Sequence, residues 1–319
     1  MTYKNLKRFL SKNNNSELIF DLMPRGVKSK IILAVGENAS NVSSFLSSIL
    51  KQKGISHSRF INARKLELKN RFFNNGEPLE IDVICKYAER LIKKSGKAIG
   101  DEQLLFDISL LALQNDYVII EMTDDFYERI VDNLTFVPLS IIFCTLNDKL
   151  NDRLIDLAPA GISEIFALSA RENFDYVSQH ANKNGTRVSF ASQNKITVYK
   201  NSVLGTEIFY FSYLYRLPSL DQRNNPLAIP AIDCARILFD ISRATIHKGL
   251  SNARLIYDLE LHSVSPTILL YEGENDFVLP KSMKCEIKTS TDGFAIPTND
   301  TVYCGNADFL DSIKDKLKK

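Results

Sequence analysis

The order of apolar and polar positions along the chain predicts an α/β fold. Short, continuous apolar runs are typical of strands buried on both faces of a sheet, and here they alternate with segments whose apolar residues recur at helical spacing. The runs that predict strands cover residues 31–35, 117–121, 138–144, 165–168 and 187–190. The segments that predict helices cover residues 42–53, 81–95, 101–112 (with Asp101 as the predicted cap) and 171–183. This alternation predicts a mostly parallel sheet with helices on both faces.

The pattern changes in the last third of the chain. Residues 196–217 are rich in alternating tyrosine and phenylalanine, which predicts a β-hairpin whose aromatic side chains pack within it rather than form a stacking surface. Helical segments follow at residues 228–242 and 244–250, and residues 307–318 predict a terminal amphipathic helix. We therefore expect a first domain over residues 1–265 and a shorter C-terminal unit over residues 266–319.

The first strand is followed by a loop and a helix, an arrangement that can bind phosphate. The loop is expected over residues 36–41 and the helix from Val42, which would place loop amides at a helix N-terminus. A loop of the form GxxxxGK[ST] uses its lysine to neutralise phosphate and its hydroxyl to bind Mg²⁺. This loop has one glycine, no lysine, and a serine in place of the lysine. The residues of this degenerate nucleotide loop are Gly36, Asn38, Ser40, Asn41 and Ser43.

Charged residues follow two predicted strands at the carboxyl edge of the sheet, where open α/β sheets place ligand groups. Glu121 ends one strand and is a candidate Mg²⁺ ligand; the alternative is a carboxylate that simply ends the strand in solvent. Asp148 and Lys149 follow the next strand as a second candidate metal ligand and a candidate phosphate contact, or as part of an exposed turn. The four histidines lack the spacing of a metal site.

Composition narrows the class of protein. With 40 basic and 38 acidic residues the net charge is +2, so no nucleic-acid partner is indicated. The 5 cysteines are odd in number and form no CxxC pair, which favours a reducing compartment, and we predict the cytoplasm. The N-terminal residues are polar and no long apolar run occurs, so we expect neither a signal peptide nor a membrane segment.

Several phrases of the sequence resemble the folylpolyglutamate synthase branch of the Mur ligase family. The loop that begins at Gly36 is similar to the family's GTNGKGS, and NGEPL at residues 75–79, preceded by Arg71, is similar to its RI-x-x-NGEPI turn. Glu121 stands where the family has a metal-binding glutamate. The resemblance implies a P-loop-NTPase-like central domain and a C-terminal α/β domain that is truncated here.

The chain departs from the family at residues that carry its chemistry. The family's enzymes make an acyl phosphate from ATP and a carboxylate, which an amino acid then attacks. Ser40 replaces the phosphate lysine, Pro159 replaces a lysine that becomes carbamylated, and residues 221–224 replace a nucleotide-binding stretch in which Arg223 is now a candidate phosphate contact. Charge-assisted contacts contribute about 1.5–3 kcal/mol each, so their combined loss is expected to abolish ligation.

Two main functional hypotheses follow. In the first, the protein is a catalytically inactive pseudoenzyme that has lost ATP binding, needs no cofactor, and acts as a binding or regulatory partner of an intact Mur-type ligase or of a second copy. In the second, it is an ATP-dependent carboxylate–amine (glutamate) ligase with a rebuilt site, in which Glu121 and Asp148 bind Mg²⁺ and Lys149 or Arg223 binds phosphate. A pterin- or peptide-binding protein that kept only the substrate cleft is a third possibility.

Overall fold

The computed structural model describes most of the chain, and every structural statement below refers to that part. The described residues are 1–12, 18–63, 66–96, 99–145, 147–169, 185–192, 196–202, 205–218, 224–253, 255, 258–261, 268–271, 286–289 and 301–305. The predicted helices at residues 171–183 and 307–318, and the candidate phosphate contact Arg223, lie outside the described residues.

An eight-stranded sheet forms the centre of the molecule. Its strands in chain order are β1 (Lys30–Val35), β2 (His57–Phe60), β3 (Phe72–Asn74), β4 (Glu77–Pro78), β5 (Tyr117–Met122), β6 (Ser140–Phe143), β7 (Glu164–Ser169) and β8 (Arg187–Ser192). Their order across the sheet is β4-β3-β2-β5-β1-β6-β7-β8. From β2 to β8 neighbouring strands pair in parallel, and the short edge strands β3 and β4 are antiparallel. The predicted mostly parallel sheet is therefore confirmed.

Helices cover both faces of this sheet. They are α1 (Tyr3–Lys12), α2 (Ala39–Lys53), α3 (Ile81–Lys94), α4 (Asp101–Ala112), α5 (Asp124–Ile130), α6 (Asp148–Asp156), α7 (Asn224–Phe239) and α8 (Arg243–Ser251). Alternate side chains of β1 enter two cores: Ile31, Leu33 and Val35 pack with α3, α4 and α5. Ile32 and Ala34 pack with α2, α7 and α8. Because both faces of the strand are buried, its sequence is continuously apolar.

Two smaller sheets complete the described structure. The aromatic segment forms a three-stranded antiparallel sheet rather than the predicted two-stranded hairpin, with β9 (Ile196–Ser202), β10 (Gly205–Tyr210) and β11 (Tyr213–Leu217) in the order β11-β10-β9. The predicted inward packing holds for Tyr210 and Tyr215, which are buried, whereas Phe209 and Phe211 are exposed.

Near the C-terminus, β12 (Asp258–Leu261), β13 (Ile268–Tyr271), β14 (Glu286–Thr289) and β15 (Thr301–Gly305) form a mixed sheet in the order β12-β15-β13-β14. Strand β12 therefore pairs with strands that lie beyond residue 265, and the division of the chain at that residue stays a prediction. No helix in the described part of the chain has the length and apolar character needed to cross a membrane.

Helices α4 and α7 have boundaries that differ from the predicted ones. Gly100, not Asp101, is the N-cap residue of α4, and the Asp101 carboxylate accepts a hydrogen bond from the amide of Glu102 at 2.9 Å. Helix α7 ends at Phe239, before the predicted residue 242, because Asp240 adopts a φ of +47°, a left-handed conformation that interrupts a helix. Helix α8 then begins after Ser242, whose hydroxyl accepts a hydrogen bond from the Thr245 amide.

Candidate functional site

The loop between β1 and α2 is shorter than the sequence predicts. Helix α2 begins at Ala39, so the loop consists of Gly36, Glu37 and Asn38, and the prediction that it extends to Asn41 is wrong. The Asn38 carbonyl accepts hydrogen bonds from the amides of Asn41 (3.1 Å) and Val42 (3.2 Å), which draws residues 39–41 into the helix. Alanine, the best helix former, stands at the position of a glycine in the resembling family loop, and it favours this earlier start.

Gly36 brings this loop against the end of β6. Its φ is +117°, and a Cβ atom there would lie 3.2 Å from the Thr145 amide nitrogen and 3.3 Å from Asp124 Oδ1. The Gly36 amide also donates to the Met122 carbonyl of β5 at 3.1 Å. A larger residue would need both a strained backbone and a shift of β6, so glycine is required here by conformation and by space.

The first turn of α2 points two hydroxyl groups down at Glu121. Ser40 and Ser43 are three residues apart and share one helix face, and each donates a hydrogen bond to the Glu121 carboxylate: Ser40 Oγ to Oε2 at 2.5 Å, and Ser43 Oγ to Oε1. Glu121 is 2 % exposed. The carboxylate therefore lies buried beneath the helix N-terminus, and the alternative that it ends its strand in solvent is wrong.

Arg59 neutralises this carboxylate from the neighbouring strand. Its Nε and Nη2 atoms donate to Glu121 Oε1 at 3.1 and 2.9 Å, and Nη2 also donates to the Ser40 carbonyl at 2.8 Å. The backbone amide of Asn62 donates a hydrogen bond to Glu121 Oε2 at 3.1 Å. Burial lowers the pKa of the Arg59 guanidinium and the Glu121 charge raises it; a guanidinium nevertheless stays charged in a protein. The described partners of Glu121 thus comprise one cation, two hydroxyls and one amide.

Strand register explains how these side chains meet. Strands β2 and β5 are parallel neighbours with Arg59 opposite Ile119, so Arg59 and Glu121 lie on the same face of the sheet, two positions apart. Sequence reasoning missed Arg59. Arg59 is a basic residue inside the short strand β2, but only the strand order shows that this strand lies beside β5, which carries Glu121.

A second buried arginine supports the loop after β2. Arg71 Nε donates to the Ile61 carbonyl and its Nη2 atom to Asn62 Oδ1, both at 2.9 Å. Its guanidinium carbon lies 5.4 Å from the centre of the Phe60 ring. Arg71 therefore positions Asn62, whose amide in turn contacts Glu121. Arg71, which precedes the turn that resembles the family's, thus supports the network of hydrogen bonds around Glu121.

The other predicted site residues lie around this network without joining it. Asp148 and Lys149 form the first turn of α6 at the same carboxyl edge of the sheet, and Asn147 caps that helix by accepting from the amides of Lys149 and Leu150. Lys149 is exposed and Asp148 is half-buried. Asn38 contacts Glu37 through its side-chain amide at 3.4 Å, and Asn41 lies half-buried in the first turn of α2.

Asp124 places a half-buried carboxyl group beside the loop. Burial, followed by the nearby carboxylates Glu37, Asp125 and Glu128, raises its pKa. Its Oδ1 atom is buried and has no hydrogen-bond partner in the described part of the chain. Within that same part, no group of three or more histidine, cysteine, aspartate or glutamate residues is arranged to hold a metal ion.

The residues present do not fit a nucleotide-bound magnesium ion at Glu121. A divalent ion there would lie close to the Arg59 guanidinium and would have to displace hydroxyl hydrogen bonds from the carboxylate. Like charges 4 Å apart repel by about 4 kcal/mol at an effective dielectric constant of about 20. The arrangement instead forms a closed structural ion pair.

Comparison with known proteins rests on structure. No protein-family model and no curated protein sequence matches this chain significantly. Folylpolyglutamate synthase from Thermotoga maritima superposes with a TM-score of 0.65 at 12% identity, covering 86% of this chain and 78% of that one. The Mycobacterium tuberculosis folylpolyglutamate synthase complexed with ADP gives 0.61 at 9% identity, with 84% and 75% covered.

The bifunctional folylpolyglutamate synthase/dihydrofolate synthase from Yersinia pestis is also similar. It gives a TM-score of 0.57 at 12% identity, with 79% of this chain and 67% of that one covered. At such low identity the likeness concerns the fold alone. The chain therefore has the fold of the folylpolyglutamate synthase/dihydrofolate synthase branch of the Mur ligases, as the local sequence phrases predicted.

Proposed function

We propose that this chain is a catalytically inactive relative of the folylpolyglutamate synthases that acts as a binding or regulatory partner of another protein. The observation that carries the proposal is the buried Arg59–Glu121 ion pair, with Nη2 and Oε1 at 2.9 Å. An active nucleotide site would need the Glu121 carboxylate for a metal ion and a cation facing the phosphates. Here the carboxylate is neutralised from within the fold.

The first turn of α2 supports the same proposal. The Ser40 side chain, which stands at the position of the phosphate lysine in the resembling loop, points inward to Glu121. The amides of Ala39, Asn41 and Val42 donate to carbonyls of Gly36 and Asn38, so they are engaged inside the turn. Phosphate binding at a helix N-terminus depends on amides that point outward, and a lysine strengthens it.

Partnership and compartment are parts of this proposal. The partner is an intact Mur-type ligase or a second copy of the chain. A protein that keeps the fold without the catalytic residues would serve that partner as a docking or regulatory subunit. We place the protein in the cytoplasm, and three cysteines in the described residues that are buried and free (Cys85, Cys144 and Cys234) are compatible with a reducing compartment.

One observation favours the alternative of an ATP-dependent carboxylate–amine ligase. Asp148 and Lys149 stand in the first turn of α6, at the sheet edge shared with the N-terminus of α2, and Lys149 is exposed to an incoming anion. In this second candidate function, Lys149 or Arg223 binds phosphate, and Glu121 with Asp148 binds Mg²⁺ after Arg59 has moved away.

Calorimetric titration with MgATP, combined with a phosphate-release assay in the presence of folates and glutamate, tests both candidates. An active folylpolyglutamate synthase serves as the assay control. The pseudoenzyme proposal expects neither binding at micromolar affinity nor turnover. Saturable MgATP binding with turnover that is lost in Glu121→Ala and Lys149→Ala, while circular dichroism stays unchanged, would overturn it in favour of the ligase.

A further inference from the structure

The turn between β10 and β11 holds a phenylalanine in a conformation that its backbone disfavours. Phe211 and Ser212 have φ values of +47° and +60°. They join the paired residues Tyr210 and Tyr213, which makes this a two-residue hairpin turn with both central residues left-handed. Turns of this kind usually carry Asn-Gly, because a bulky side chain is strained at positive φ. A phenylalanine at the tip therefore calls for an explanation other than local stability.

The strained turn is exposed, and hydrogen bonds fix the strands beside it to α7 and α8. Phe211 is 46% exposed, and Phe209 on the outer face of β10 is 37% exposed. Below them, the buried Tyr210 hydroxyl donates to Asp233 Oδ2 of α7 at 2.6 Å, and His247 Nδ1 donates to the Leu214 carbonyl at 3.0 Å. The two phenylalanine rings are thus presented at a fixed place rather than on a loose loop.

One arginine lies beside the Phe211 ring and a second lies beside Tyr213, on the other side of the turn. The guanidinium carbon of Arg236 lies 6.0 Å from the centre of the Phe211 ring, and that of Arg243 lies 5.9 Å from the centre of the Tyr213 ring. Among the described residues neither arginine forms a salt bridge with a carboxylate. Ile237, next to Arg236 in α7, is 50% exposed. We name Phe209, Phe211, Arg236, Ile237 and Arg243 the aromatic turn surface.

We propose that the aromatic turn surface docks a segment of another protein that carries a large apolar side chain flanked by aspartate or glutamate. The apolar side chain would cover Phe211 and Ile237, and the carboxylates would pair with Arg236 and Arg243. Arg243 is the first residue of α8, where the helix dipole favours negative charge, so a partner carboxylate gains from both. Aromatic and arginine residues are the types that dominate protein interfaces.

Two other occupants fit this surface less well. A second copy docked through the same patch would bring arginines of the two chains towards each other. Nucleic acid needs a longer track of cations than two arginines. The inference gives the proposed partner role a surface, but it does not use the Glu121 site and stands whether or not nucleotide binds.

Fluorescence anisotropy with a labelled peptide of sequence Asp-Glu-Leu-Phe-Glu-Asp tests the proposal on the full chain. We expect saturable binding that weakens about tenfold in Phe211→Ser and in the double variant Arg236→Gln/Arg243→Gln, a change of about 1.4 kcal/mol. Phe20→Ser is the matched control, since Phe20 is 41% exposed elsewhere on the molecule. A peptide with lysine in place of the four acidic residues should not bind.

Phe211→Gly separates docking from folding. Glycine adopts positive φ freely, so this variant should keep or raise the melting temperature while it loses peptide affinity. No binding at millimolar peptide, equal binding of the lysine peptide, or unchanged affinity in Phe211→Ser would overturn the proposal. Binding of a single-stranded oligonucleotide, or a dimer that dissociates in Phe211→Ser, would assign the surface to nucleic acid or to a second copy instead.

Discussion

Arg59 donates two hydrogen bonds to one carboxylate oxygen of Glu121, and both side chains lie buried beneath the first turn of α2. The guanidinium also donates to the Ser40 carbonyl, so the ion pair fastens the helix to the sheet.

Replacing Arg59 with methionine should cost about 3–5 kcal/mol of unfolding free energy, because Glu121 would remain buried without a compensating charge. The double variant Arg59→Met/Glu121→Leu should recover most of that loss, since it buries no charge. Urea unfolding of the wild type, the two single variants and the double variant measures the coupling. A double variant as unstable as the sum of the two single variants would contradict the ion-pair interpretation.

Arg59→Met should also gain affinity for divalent cations. With the guanidinium gone, the Glu121 carboxylate and the hydroxyls of Ser40 and Ser43 offer hard oxygen ligands of the kind that Mg²⁺ and Mn²⁺ prefer. MgCl₂ or MnCl₂ at about tenfold its dissociation constant should then stabilise the variant by about 1.4 kcal/mol. Thermal unfolding with and without metal checks this, with Arg59→Met/Glu121→Gln as the control; an equal effect on the wild type would contradict it.

Asp107 should make stability depend on pH. It lies fully buried in α4, where water does not solvate its carboxyl group. Burial raises the pKa of Asp107 to about 8, with Gln103 and Lys94 lowering it less. Between its unfolded pKa near 4 and this value the folded state binds one proton more, so stability should fall as pH rises, by about 1.4 kcal/mol per pH unit.

Asp107→Asn should remove that slope. The measurement is urea unfolding at several pH values between 5 and 7.5, where the variant should be flatter than the wild type and more stable at the upper end. Exposed Asp116→Asn is the control and should leave the slope as it is. Parallel curves for Asp107→Asn and the wild type would show that Asp107 does not titrate in this range.

Gly249→Ala should destabilise the contact between α2 and α8. A Cβ atom at this position would lie 2.5 Å from the Ile49 Cα atom, and the Gly249 carbonyl accepts a hydrogen bond from Ser48 Oγ at 2.7 Å. We expect a loss of about 1–3 kcal/mol or more in unfolding free energy, despite alanine's better helix propensity. Because the obstacle is backbone, adding Ile49→Ala should not rescue the variant; a rescue would place the strain in the Ile49 side chain.

The prediction of the fold succeeded where the sequence signal was local. The run at residues 31–35 is apolar because both faces of the strand are covered, and the apolar spacing after Val42 reflects one buried helix face. Both elements could therefore be predicted from their own residues, without knowing which segments pack against them. The start of α2 was predicted three residues too late. Residues 39–41 are helical because the amides of Asn41 and Val42 donate hydrogen bonds to the Asn38 carbonyl and because Ser40 contacts Glu121, and neither contact is visible in the sequence.

The candidate site shows the limit of such reasoning. Glu121 and the serines were identified as site residues, but their shared role was not. Arg59 was missed, and Arg71 was noted only as part of a phrase that resembles the family. Glu121 was expected to face solvent or a metal ion. It faces an arginine separated from it by about sixty positions in the chain, and no periodicity or motif reports a contact between two strands that are distant in sequence.

By itself the sequence determined the α/β architecture, the alternation of buried strands and helices, and the loss of a cationic side chain from the loop after β1. These follow from local periodicity and residue identity. Only the tertiary structure decided that β2 lies beside β5, which places Arg59 against Glu121, and that a strained turn presents Phe211 beside Arg236. The reason is that charge pairing and exposure depend on which segments become neighbours, and that is set by the packing of the whole chain.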